Sequence, residues 1–274
     1  MIQANKPKYL SHIVLIAGAI IMVFPFIWTI LTSFKTMAET IAVPLVIFPS
    51  SFDFTNYKDA LTNLPFLTFL RNTLIVALTK AAGQLVFCSL AAYAFARIKF
   101  PGRNVIFILY LSVLMIPYQI FIIPQYLIMM DLGWLNSIKA LIVPGLFSAF
   151  GTFLLRQFFM TLPKEIEEAA TLDGCNHFGI YSRIMMPMVV PGLIAVCIFT
   201  VLSSWNDLLW PLIVNNSPEK LTLAAGLAFL RGEHSTNYPV LMAGSLMAIL
   251  PMILMFVFLQ KYFIEGIAIT GVKG

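Results

Sequence analysis

The sequence predicts an all-α polytopic membrane protein: six transmembrane helices and, between the fourth and fifth, a cytoplasmic loop folded as two short helices. Three observations carry this reading. The chain is 60% hydrophobic and 11% charged, with a mean hydropathy of +0.91, whereas soluble domains hold about 25% charged residues. Apolar runs at 12–32, 72–96, 104–130, 139–160, 188–213 and 239–262 are each long enough to cross a bilayer, which takes about 20 residues. Six crossings put both termini on one side, and the positive-inside rule selects the cytoplasm. Lys6, Lys8, Arg97, Lys99, Arg103, Arg156, Lys164, Arg183, Lys261 and Lys273 then lie inside, against Lys35, Lys58, Arg71, Lys139, Lys220 and Arg231 outside.

Composition also excludes. A net charge of +5 and a pI near 9.1 do not indicate nucleic-acid binding, because the basic residues sit at span ends and no basic stripe interleaved with aromatics occurs. Cys88, Cys175 and Cys197 are odd in number and form no C-x-x-C pair, so neither a disulfide framework nor a zinc site is expected. His12, His177 and His234 are scattered, and no nucleophile or metallohydrolase motif is present. No G-x-x-x-x-G-K-[ST] loop occurs either, so the chain is expected to be no enzyme and to hold no cofactor or metal. The run from His12 to Leu31 lacks a small-residue cleavage site, which marks a retained first span and not a secretory signal. Residues 1–274 are read as one transmembrane domain.

Taking the chain in order, the exterior segment from Phe34 to Arg71 holds Pro44, Pro49 and Pro65 with Phe52, Phe54 and Tyr57, a mixture suited to short interfacial helices. The second span, Asn72 to Ala96, is rich in Ala, Gly and Ser, which let membrane helices approach closely and place it inside the bundle. Pro117 and Pro124 in the third span and Pro251 in the sixth each remove a backbone donor and can kink their helices, either for a moving pathway or as static packing. Asn215 to Tyr238, with Arg231-Gly232-Glu233-His234, forms an exterior loop.

The loop at 161–187 is the most structured polar region. Pro163 can take the first helical position, Glu165 and Glu167 favour the positive helix end, and Gly174 can stop the helix in a left-handed turn. Ile166, Ala169 and Ala170 fall on one face, predicted to point inward. Asn176 can cap a second helix in which Phe178, Tyr181 and Met185 recur before Pro187 ends the run.

Glu168-Ala169-Ala170, three residues, Gly174, nine residues, Ile184, two residues and Pro187 resembles the EAA loop of ABC importer permeases, with Met186 where Leu is usual. Gly271-Val272-Lys273-Gly274 and Trp205-Asn206-Asp207 are similar to the carbohydrate branch, in particular the second membrane subunit of maltose-type transporters. The resemblance implies a permease subunit of an ATP-driven importer of a di- or oligosaccharide. Its partners would be a second homologous permease, two ATPase subunits that bind ATP and Mg, and an extracellular or periplasmic solute-binding protein facing the 215–238 loop. Glu167, Glu168, Ala169, Ala170, Asp173, Gly174, Phe178, Ile184 and Pro187 would form the ATPase-coupling loop, and alternating access would be the mechanism. Related permeases handle glycerol phosphate, and an ion-coupled secondary transporter is the weaker alternative, since it needs coupling-ion groups and often repeats.

Candidate path residues are Tyr118, Gln119, Trp205, Asn206 and Asp207, whose aromatic faces, amides and carboxylate suit the hydroxyls and C–H faces of a sugar. A carboxylate within a span is costly, so Asp207 must face the bundle or a wet cavity; equally, these polar groups can bond neighbouring helices. Gln125 and Tyr126 follow nearby. Lys80 lies within the second span, where it can pair with Asp207, line a cavity or snorkel outward.

Overall fold

A computed structural model describes residues 9–228 and 236–271; Lys6, Lys8, Arg231 to His234 and the end of the Gly-Val-Lys-Gly tail lie outside them. Regular structure among the described residues is helical. The chain divides into two compact units, one from residues up to Phe66 with Leu227–Pro251, the other from Leu67–Gly226 with residues from Met252 onward.

In the first unit, α1 (Tyr9–Ser33) carries the predicted first span, and none of its most apolar stretch is buried. Two short helices follow, as the exterior segment's composition predicts. α2 (Met37–Ile41) is closed by a capping box, in which the Glu39 N–H donates to Thr36 Oγ1 at 3.3 Å and the Thr36 N–H to Glu39 Oε2 at 2.7 Å. α3 (Thr55–Thr62) is tied back by Asn56, whose amide donates to the carbonyls of Ser33 and Lys35, each at 2.9 Å. The Phe34 ring lies 5.3–5.5 Å from those of Phe52, Phe54 and Tyr57. Lys35 is buried with its charge satisfied, its ammonium donating to the Val46 carbonyl at 2.6 Å and lying 4.2 Å above the Trp28 ring.

The second unit is built around α4 (Phe66–Arg97), a 32-residue helix whose small residues receive its neighbours. At its start, Asn72 donates to the carbonyls of Glu219 and Leu221 at 2.8 and 2.9 Å, and Thr73 Oγ1 accepts the Leu223 N–H at 2.7 Å. At its end, Gly102 turns the chain with a φ of 75° into α5 (Arg103–Ser112). The third predicted span, 104–130, is not one helix: α5 and its short extension to Met115 meet α6 (Gln119–Asp131) at 101°. Pro117 sits in that break, where its absent N–H and the extended Ile116 stop the helical ladder, whereas Pro124 is accommodated inside α6. α7 (Ile138–Ile142) and α8 (Ala149–Thr161) form a third-to-fourth connection and a fourth candidate span across Ile138–Thr161.

After the loop helices α9 (Lys164–Leu172), α10 (His177–Gly179), a π-helical turn (Ile180–Met185) and α11 (Met186–Met188), the chain enters α12 (Val190–Trp205). The predicted fifth span, 188–213, is also interrupted. It stops at Asn206–Leu208 and resumes as α13 (Leu209–Val214), and α12 itself is bent by 78° from the helix before it. α14 (Leu223–Ala228) precedes α15 (Tyr238–Gly271), which runs through Pro251 as one helix. Among the described residues, four helices are long and apolar enough to cross a membrane, and up to six result if each bent pair counts as one span.

Candidate functional site

Two constellations share the second unit. The first is the loop at 161–187. Pro163 stands at the N-cap, with an extended ψ of 139°, and not at the first helical position, which Lys164 takes. Gly174 adopts the predicted left-handed turn at φ 83°, and Asn176 Oδ1 accepts the Gly179 N–H at 2.8 Å as the predicted cap. Pro187 does not end the second helix. The π-helical turn before it shifts the hydrogen-bonding register, so the helix continues to Met188 and bends at Val189.

Only part of the predicted inward face of α9 is inward. Ala170 is buried and Ile166 half-buried, but Ala169 is exposed, because the side that meets the protein is shared with Glu167. Glu167 accepts a hydrogen bond from the Tyr93 hydroxyl at 3.1 Å and lies 3.7 Å from an Arg97 guanidinium nitrogen. Arg97 in turn donates to the carbonyls of Phe159 and Leu162. Tyr181 reaches Ser89 at 2.7 Å, and Ile180, Tyr181 and Met185 enter a core with Cys88, Ala92, Tyr93, Leu155 and Phe159. The loop is therefore fastened to α4 and α8 on one side. On the other it exposes Glu168, Ala169, Leu172 and Phe178, with Leu172 at 89% and Phe178 at 68% exposure. Arg97 and Tyr93 escaped the sequence reading, which counted Arg97 only as a topological charge.

The second constellation is a cavity of about 490 Å³ lined by Lys80, Gln84, Tyr118, Gln125, Ser203 and Asp207, with Trp210 among its walls. The Lys80 ammonium lies 4.0 Å from the Asp207 carboxylate, so the pairing of these two charges is realised. A methyl group on Gly145 would fall 2.6 Å from Lys80 Cε, which explains how the stem of Lys80 runs past this backbone. Gln84 is held at both ends of its amide, donating to the Gly145 carbonyl at 2.8 Å and accepting from the Thr200 hydroxyl at 2.7 Å. The Trp210 indole donates to the Ala140 carbonyl at 3.0 Å, fixing the ring at the wall.

Of the residues predicted for the path, Tyr118 and Asp207 line this cavity. Gln119, Trp205 and Asn206 do not. Gln119 opens α6 as an exposed residue; Trp205 is buried at the end of α12; Asn206 is exposed and bonds back to the Leu202 carbonyl at 3.0 Å. For Trp205 and Asn206 the cause is the break after Trp205, which turns consecutive residues in different directions, whereas Gln119 follows the separate break at Pro117. Gln84 was missed, although it stands one helical turn from Lys80 on the same face.

A family model described as the binding-protein-dependent transport system inner membrane component matches residues 84–264, a range that holds the loop and the cavity residues other than Lys80. The chain belongs to this family. It is 38% identical over 93% of both chains to the arabinooligosaccharides transport system permease protein AraQ of Halalkalibacterium halodurans. The sn-glycerol-3-phosphate transport system permease protein UgpE of Brucella abortus is 31% identical over 98% of both chains. The sulfoquinovosyl glycerol transport system permease protein SmoH of Agrobacterium fabrum is 33% identical over 94% of this chain and 93% of its own length. A crystal structure of a bacterial ABC transporter involved in alginate import has the same fold, with a TM-score of 0.83 at 24% identity over 96% of this chain and 100% of that one. The chain is thus a multi-pass permease component of the inner membrane and not an ATP-hydrolysing subunit.

Proposed function

We propose that this chain is one of two membrane subunits of an ABC importer for a di- or oligosaccharide, with six crossings and both termini in the cytoplasm. The observation that carries the proposal is the loop at 161–187: one face is bonded to α4 and α8, and the other offers Leu172, Phe178 and Ala169 uncovered beside Glu168. Such a face suits docking to a partner protein, because exposed large apolar residues on a rigid support are typical of interface centres. The partner would be an ATPase subunit that binds ATP and Mg, and two such subunits would serve this chain and a second, homologous permease. Asp173 and Gly174 would set the corner of the docking face, with Ile184 and Pro187 in the helix behind it.

The solute would be delivered by an extracellular or periplasmic binding protein and would pass the cavity of Tyr118 and Asp207. Closure of the ATPase pair would pull α9, and through Glu167 and Arg97 would pull α4, whose middle lines the cavity. Relatives named for arabinooligosaccharides and for glycerol phosphate support two solute classes. ATP-dependent uptake by the reconstituted complex with its binding protein, across oligosaccharides, disaccharides, monosaccharides and glycerol phosphate, tests the reading. Saccharide uptake that needs ATP supports it; solute movement on an ion gradient alone overturns it in favour of a secondary transporter.

A further inference from the structure

The cavity contains one cation and one carboxylate among the described residues that line it, and they face each other at 4.0 Å. Both are largely withdrawn from solvent, with side-chain exposures of 12% for Lys80 and 27% for Asp207. We infer that this pair makes the chain's share of the path selective for neutral polyhydroxyl solutes and closes it to phosphate- or carboxylate-bearing ones. The inference rests on the proposed role of the cavity as the solute path and deepens it.

The argument is one of charge balance. An anion entering the cavity can gain from Lys80 only by competing with Asp207, and it then stands close to the Asp207 carboxylate, where like charges repel strongly in a water-poor site. No other basic side chain lines the cavity to offset that repulsion. Gln84 can offer at most one further neutral N–H, since its other is committed to Gly145 and its oxygen accepts from Thr200, and it brings no positive charge to the cavity. A neutral sugar meets no such conflict. Its hydroxyls can donate to Asp207 without displacing Lys80, or exchange hydrogen bonds with the Tyr118 hydroxyl and the Gln125 amide.

The test places a reporter thiol in the cavity by Ser203→Cys, in the assembled complex with Cys88, Cys175 and Cys197 replaced, and reads protection from a small thiosulfonate reagent. This needs no binding protein, so that protein's own selectivity does not enter. Arabinotriose and sn-glycerol 3-phosphate are the probes. Arabinotriose is expected to slow labelling at concentrations where glycerol 3-phosphate gives no protection, the phosphate protecting only at higher ones. In the Asp207→Asn background Lys80 loses its counter-charge, and glycerol 3-phosphate is then expected to protect at concentrations about tenfold lower than in the parent, a modest electrostatic change. Adding Lys80→Met should abolish that gain, and labelling of the thiol verifies in each background that the cavity has formed. Equal protection by both probes in the parent, or no gain in Asp207→Asn, overturns the charge selection while leaving the path role intact. A thiol that neither probe protects, or that no reagent reaches, overturns the path role itself and the selection with it.

Discussion

Single residues set the loop corner and the cap of α2. Gly174 has a φ of 83° and open space where a Cβ would point, so a substitution there costs backbone strain alone. Gly174→Val is expected to destabilise the corner by about 1–2 kcal/mol, the usual penalty of a left-handed residue, without a steric clash. Faster proteolysis at the loop with unchanged membrane insertion would be the readout. Glu39 provides a pH-dependent case. Hydrogen bonds from the Ser50 side chain, then from the backbone of Thr36 and Ser50, hold its carboxyl down at about 2, below the ordinary glutamate value of 4.5. A depressed folded value means that the cap's contribution is complete above about 4.5 and is lost as pH falls towards 2. Hydrogen exchange of the 36–50 segment, corrected for intrinsic rates, should therefore speed up between pH 5 and pH 3; in Glu39→Gln that change should vanish.

At the scale of elements, what was legible depended on how local the cause was. The Gly174 turn and the Asn176 cap are decided by a few adjacent residues, and both were readable. Apolar length located four helices long enough to span and two bent pairs among the described residues. The breaks at Pro117 and at Asn206–Leu208 were not located by it, because hydropathy is blind to whether a run is straight. The face of α9 was misread at Ala169 for a tertiary reason: Glu167 lies inward to meet Tyr93 and Arg97, a partnership between residues 70 and more positions apart. Only part of the path list survived as cavity lining, since the break after Trp205 sends Asn206 outward. One prediction belongs to this element. Glu167→Ala leaves the 4%-exposed Arg97 side chain without its carboxylate, and should loosen α9 by roughly 1–3 kcal/mol, as for an unsatisfied buried group. Ala169→Phe, on the exposed face, should instead leave the fold intact and weaken ATPase association; comparing thermal stability with co-purification of the ATPase separates the two.

For the whole molecule, coupling requires that a loop event reach the cavity proposed for the solute. α4 supplies Lys80 and Gln84 to the cavity and Ser89, Tyr93 and Arg97 to the loop. At 1.5 Å per residue, Lys80 and Arg97 are about 26 Å apart along one uninterrupted helix. A helix of that length transmits displacement as a rod, whereas α5–α6 and the helix before α12 are bent and cannot. α12 cross-braces the rod through Thr200 and Gln84. Force applied at the loop is therefore expected to arrive at the cavity through α4, provided that Arg97 and Glu167 hold the joint. Glu168→Lys, on the exposed face, and Arg97→Met, at the joint, should then fail differently. The first should lower ATPase association and hydrolysis together with uptake. The second should keep the ATPase bound and hydrolysing while uptake falls about tenfold or more, a loss of roughly 1.4 kcal/mol or greater in coupling. Parallel loss of hydrolysis and uptake in Arg97→Met would show that the joint serves assembly and that motion reaches the cavity by another element.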